Sequence, residues 1–141
     1  MSDSEDVKEL KKLSMVKDYL SEMGLGITRE VTEEQLVIVD DESRGLKNLV
    51  IDCEDSILIL EQLIVVLKNG NDGVFKRLLQ MNRLLVHGAF VLDDSAERVL
   101  FRDTLQLQNL DLNELEGSIN ALSLALAENA EELIQFGTAR N

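Results

Sequence analysis

No proline occurs in the 141 residues. That excludes proline-rich linkers, cis-proline switches and proline helix stops, and leaves glycine, asparagine and aspartate to break the chain. Cys53 is the sole cysteine and His87 the sole histidine, so neither an internal disulfide nor the usual His/Cys zinc cluster can form. Positive charge is scarce. Lys+Arg 14 against Asp+Glu 27 gives a net charge of -13, a field that repels phosphate backbones and anionic lipid surfaces, so neither nucleic acid nor membrane is expected as a partner. Apolar runs such as Leu63 to Leu67 fall far short of the roughly 18 residues that cross a bilayer. The opening MSDSEDVKELKK lacks a basic-then-apolar signal pattern, and a cytoplasmic location is expected.

What is present fits a single domain over residues 1–141, with an acidic tail over residues 1–6 expected to fray. Hydrophobic residues at 45% and charged residues at 29% place the chain among folded globular proteins. Leu10, Leu13, Val16, Leu20 and Met23 recur at helical spacing, and Gly24 follows as the residue expected past a helix end. From Ile27 the period changes. QLVIVD (35–40), LKNLVIDCE (46–54) and SILILEQLIVVLK (56–68) are rich in β-branched residues and read as strands. In the second of these Leu49, Ile51 and Cys53 share a dry face and Val50, Asp52 and Glu54 a wet one.

NGNDG (69–73) breaks the chain and offers Asn71 or Asp72 as the N-cap of a helix from about Val74 to Leu85, ended by His87 and Gly88. AFVL and RVLFRDTLQL flank DDSAE as a hairpin with a five-residue loop, Val99, Phe101, Leu105 and Leu107 sharing one face. Asp111 with Glu114 makes a capping-box-like start for a last helix with the stripe Leu112, Leu115, Ile119, Leu122, Leu126 and Leu133, closed by Gly137. The order α-β-β-β-α-β-β-α predicts an α+β fold, an antiparallel sheet with helices on one face.

Chemistry-bearing residues are few. Cys53 and His87 could be a nucleophile and its base, but Cys53 lies on an apolar face, where a cysteine is usually a small hydrophobe. His87 is explained by the helix end before it. The clusters Asp40–Asp41–Glu42, Asp52 with Glu54–Asp55, and Asp93–Asp94 match no calcium loop and read as solvated turns. GNDG lacks the lysine and glycine spacing of a phosphate loop. No catalytic residue, cofactor or metal is expected.

Two asparagines interrupt leucine-rich stretches. Asn82 sits among Leu78, Leu79, Leu84 and Leu85, and Asn129 follows Leu126 at the next stripe position. Either can simply face water. Alternatively, Asn82 satisfies backbone groups of a neighbouring element or sets register in a helix pair across a dimer.

Leu78, Leu79 and Asn82 in LLQMN, then GAFVLDD and VLFRDTLQLQNLDLNEL, resemble the type III secretion chaperones of the Tir-chaperone type and their YbjN-like relatives. The likeness spans roughly residues 10 to 136 in layout, and residues 75 to 126 carry its specific part. The resemblance implies a non-catalytic homodimer whose middle helix and adjacent strand pack across a two-fold axis, with Phe75, Leu78, Leu79, Asn82 and Leu85 at the interface. It also implies a protein client held as an extended segment in apolar grooves and against sheet edges. Such chaperones often carry a proline after the second hairpin arm where this chain has Gln106. That departure keeps open the alternative of a stand-alone YbjN-like regulatory or stress-response adaptor that binds a folded protein.

Overall fold

The computed structural model describes the backbone of residues 2–68 and 72–138, and side chains over 11–68 and 72–137. Leu10 and Asn71, both assigned roles from the sequence, lie outside the described side chains. The first helix, α1 (Ser2–Glu22), carries helical backbone through residues 2–6, where a tail was expected. Leu13, Val16 and Leu20 are buried at its three- and four-residue spacing. Gly24 ends it with φ +75°, donating its N–H to Ser21 O, while Leu25 N–H reaches back to Leu20 O. This is the paired C-terminal bond pattern that a left-handed glycine allows, and the buried Leu20 and Leu25 accompany it.

Four strands follow: β1 (Gly26–Val31), β2 (Leu36–Asp41), β3 (Leu46–Glu54) and β4 (Ile57–Val66). The second helix, α2 (Asp72–Asn82), leads to β5 (Ala89–Leu92), β6 (Arg98–Gln106) and the last helix, α3 (Leu112–Thr138). The expected order therefore holds with one addition, β1. Its sequence GITREV alternates poorly because it is an edge strand, exposed at four of six positions. The sheet is antiparallel throughout, in the order β1-β2-β3-β4-β6-β5.

Burial in β3 and β4 alternates as the side chains predict. Leu49, Ile51 and Cys53 are buried, as are Leu58, Leu60 and Gln62 across from them. The apolar ones among them join Leu115, Ile119, Leu122 and Leu133 of α3, together with residues of α1 and α2, in one cluster. Each fully buried leucine in it contributes about 1.5–3 kcal/mol. Asp111 accepts Glu114 N–H at 2.8 Å, so the capping residue of α3 is the one read from sequence.

Two helix ends differ from expectation. α2 stops at Asn82, and Arg83, Leu84 and Leu85 form tight turns onto Gln80, Met81 and Asn82 carbonyls, so His87 sits in an irregular connection beyond the helix. The cause is Asn82, whose side chain bonds to β5 and turns the chain out of the helix. Gly137 lies within α3, where it meets β4: a Cβ there would fall 2.7 Å from Val65 Cγ2 and 3.3 Å from Val66 O. Its small size, and no helix stop, explains it.

Candidate functional site: the α2 face and the connection to β5

The five residues expected at an interface occupy different environments. Leu78 is buried in the core, and Phe75 and Leu85 are half-buried against it. Leu79 projects, 71% exposed. Asn82 is half-buried, with both ends of its amide used within the chain: Oδ1 accepts Phe90 N–H at 2.7 Å and Nδ2 donates to Phe90 O at 3.1 Å. Of the readings open for this asparagine, satisfaction of a neighbouring element's backbone is the one found. Asn129 donates to Ala125 O at 2.9 Å, one turn back on its own helix.

Phe75, Leu78 and Leu79 of α2 face Phe90, Val91 and Leu92 of β5 across an apolar groove of about 350 Å3. A second groove of about 250 Å3 runs between the connection Leu84–His87 and α3 at Gly117, Ala121 and Leu124. Leu84 and Val86 are 80% and 85% exposed, and Leu124 is 58% exposed. Large aliphatic side chains held this far out are what partner surfaces look like. The sequence signal for Leu84 and Val86 is the LLVHG run (84–88), more apolar than a solvent loop requires, although its spacing also reads as a continuation of the helix. Arg77 of α2 bonds Glu132 of α3 at 2.7 Å and ties the outer helix to the body. Both side chains are well exposed, so the pair contributes about 1 kcal/mol at most.

Cys53 and His87 are not brought together. Cys53 is 4% exposed on the core face of β3, while the exposed His87 lines the second groove beside Gly117. The acidic clusters organise turns. Asp41 accepts the Ser43 hydroxyl at 2.6 Å and faces Arg44 at 3.5 Å, and Asp40 accepts Asn48 N–H at 2.6 Å. Asp93 Oδ1 accepts the N–H groups of Glu97 and Arg98 at 2.9 and 3.0 Å. The Arg98 backbone N–H is the main cause that holds the Asp93 carboxyl below the ordinary range. Asp52 is the exception. Burial, then the carboxylates of Glu54 and Glu34, push it above that range, and its Oδ1 is buried without a hydrogen-bond partner. Among the described residues no group of three His, Cys, Asp or Glu side chains is placed to hold a metal ion, and no helix is long and apolar enough to cross a membrane.

Solved structures share this arrangement. YbjN from E. coli is similar at TM-score 0.66 and 14% identity, covering 85% of this chain and 92% of that one. The heterodimeric ExoU–SpcU complex from the type III secretion system of Pseudomonas aeruginosa matches at TM-score 0.60 and 18% identity, covering 86% and 97%. The HopA1–SchA chaperone–effector complex matches at 0.63 and 11%, covering 86% and 94%. At these identities the likeness is one of fold. No curated protein matches in sequence. The sequence itself matches CesT_Tir_1 over residues 9–139, nearly the whole chain, and the chain therefore belongs to that family, a family of type III secretion chaperones.

Proposed function

We propose that the protein is a non-catalytic, chaperone-like homodimer that binds an extended segment of a protein client. The observation that carries this reading is the apolar surface left by α2 and the connection after it, with Leu79, Leu84 and Val86 between 71% and 85% exposed. Most of the described leucines are buried or half-buried, and Leu79, Leu84 and Val86 gain by being covered as well, since each dehydrated aliphatic side chain adds on the order of 1.5–3 kcal/mol. The second copy covers the α2 face through Leu79, with Phe75, Leu78, Asn82 and Leu85 beneath it. The client lies in the remaining grooves and along a sheet edge, where peptide N–H and C=O groups recognise any extended backbone. The charge of -13 favours basic client segments and keeps the dimer soluble. Family membership and the likeness to chaperone–effector complexes support this reading.

A second reading, a stand-alone adaptor that binds a folded protein, is supported by the likeness to YbjN and by Gln106 where the chaperones often carry proline. The immobilised chain is offered each protein encoded beside its own gene, once as an isolated N-terminal fragment and once as the folded whole. Retention of an unfolded fragment is the expected result. Retention of folded protein alone selects the adaptor, and retention of neither overturns both.

A further inference from the structure

The β5–β6 pair determines which peptide groups face the outer edge of the sheet. Asp93 donates its N–H to Arg98 O at 3.1 Å, and Leu92↔Val99, Val91↔Leu100, Phe90↔Phe101 and Ala89↔Arg102 are in register. Antiparallel ladders alternate. Val91 and Ala89 therefore turn their N–H and C=O inward to β6, while Leu92 and Phe90 turn theirs outward. The sheet ends at β5, so these outward groups form a strand edge of the kind that pairs with another chain.

At Phe90 that edge is occupied. Both of its outward groups are taken by the Asn82 amide, at 2.7 and 3.1 Å. A primary amide carries a donor and an acceptor, as a peptide unit does, so Asn82 stands where a further strand would stand. Leucine offers neither group, aspartate lacks the donor when ionised, and serine is too short to serve both. This accounts for an asparagine among Leu78, Leu79, Leu84 and Leu85.

We infer that Asn82 is an edge plug: it closes β5 to strand pairing with a second copy, so that two copies meet through side chains and do not fuse their sheets. The pairing that it blocks has a defined register. Two β5 strands meeting antiparallel about Val91 would join Phe90 of one copy to Leu92 of the other, twice. The two Val91 would then be opposed, with Cα atoms about 4.5 Å apart, inside the range of about 4.4–6.8 Å that a disulfide spans.

That register supplies the test. Val91→Cys is oxidised with and without Asn82→Ala, each in the parent background and with Leu79→Asp, which removes the α2 contact of the proposed dimer. Cross-linked chain is read on non-reducing gels, and the 91–91 bond is identified by mass spectrometry of the digest. The expected result is a cross-linked fraction about tenfold higher with Asn82→Ala, in the Leu79→Asp background as well, so failure of the proposed dimer leaves the outcome unchanged. Equal yields with and without Asn82→Ala overturn the inference. Should Asn82→Ala fail to fold by circular dichroism, Asn82→Ser is used under the same criterion.

Discussion

Gly88 abuts the ring of Phe101: a Cβ at that position would run into Phe101 Cζ and Cε1, and its φ of +72° is one that side chains rarely adopt. Phe101 is fully buried and meets Phe90 edge to face, with centroids 6.1 Å apart and planes at 83°. The connection that presents Leu84 and Val86 can therefore enter β5 only through a glycine.

Gly88→Ala is expected to destabilise the fold by about 2–5 kcal/mol, from left-handed backbone strain of about 1–2 and overpacking of about 1–3. Gly117→Ala is the control. Its Cβ meets nothing closer than His87 Nε2 at 3.7 Å, and a helix-interior glycine replaced by alanine gains about 0.5–1 kcal/mol. Urea melts of both variants check the opposite signs, and a neutral Gly88→Ala contradicts the close approach.

Gln62 is 4% exposed in the middle of β4. Its Nε2 donates to Gly45 O at 3.1 Å and its Oε1 accepts Lys47 N–H at 3.2 Å, pinning the β2–β3 turn. That turn also receives the Ser123 hydroxyl on Arg44 O at 2.7 Å, and Arg44 reaches Met23 O at 3.1 Å. Gln62→Leu, although more apolar, orphans two backbone groups and is expected to cost about 1–3 kcal/mol. A variant as stable as the parent in denaturant titration contradicts this.

Burial of Asp52, reinforced by Glu54 and Glu34, raises its folded-state pKa. A raised carboxyl makes the folded state more stable at pH below the ordinary aspartate range, and that stability is lost as pH rises through the raised value. Asp52→Asn is therefore expected to raise Tm at neutral pH, and the difference should close in acid below the ordinary aspartate range. An unchanged or lowered Tm at neutral pH counts against the assignment.

Much of this architecture was legible from residue pattern. β-branched content separated β4 from a helix of the same length, alternation placed Leu49, Ile51 and Cys53 inside, and Gly24 and Asp111 marked helix ends by their own local chemistry. β1 was not legible, because an exposed edge strand needs no alternation. The end of α2 was misplaced because apolar spacing continues through Leu84 and Leu85, whereas the stop is made by a contact between Asn82 and Phe90 across the turn. Gln62 and Gly137 carry no local signal at all: one is polar because a distant turn needs two bonds, the other small because β4 passes beside it. The LLVHG run hints at Leu84 and Val86, but that they and Leu124 stay exposed emerges only from the fold, in which nothing in the described chain covers them.

In the proposed dimer two copies join through the α2 face. Leu79 is 71% exposed in the single chain, so Leu79→Asp leaves the monomer fold intact, but at a covered interface it buries an unpaired carboxylate at a cost of several kcal/mol. Light scattering coupled to size-exclusion chromatography measures this directly, with circular dichroism as the folding control. Twice the chain mass is expected for the parent and one chain mass for Leu79→Asp. A parent that elutes as single chains at every concentration, or equal masses for the two proteins, contradicts the dimer.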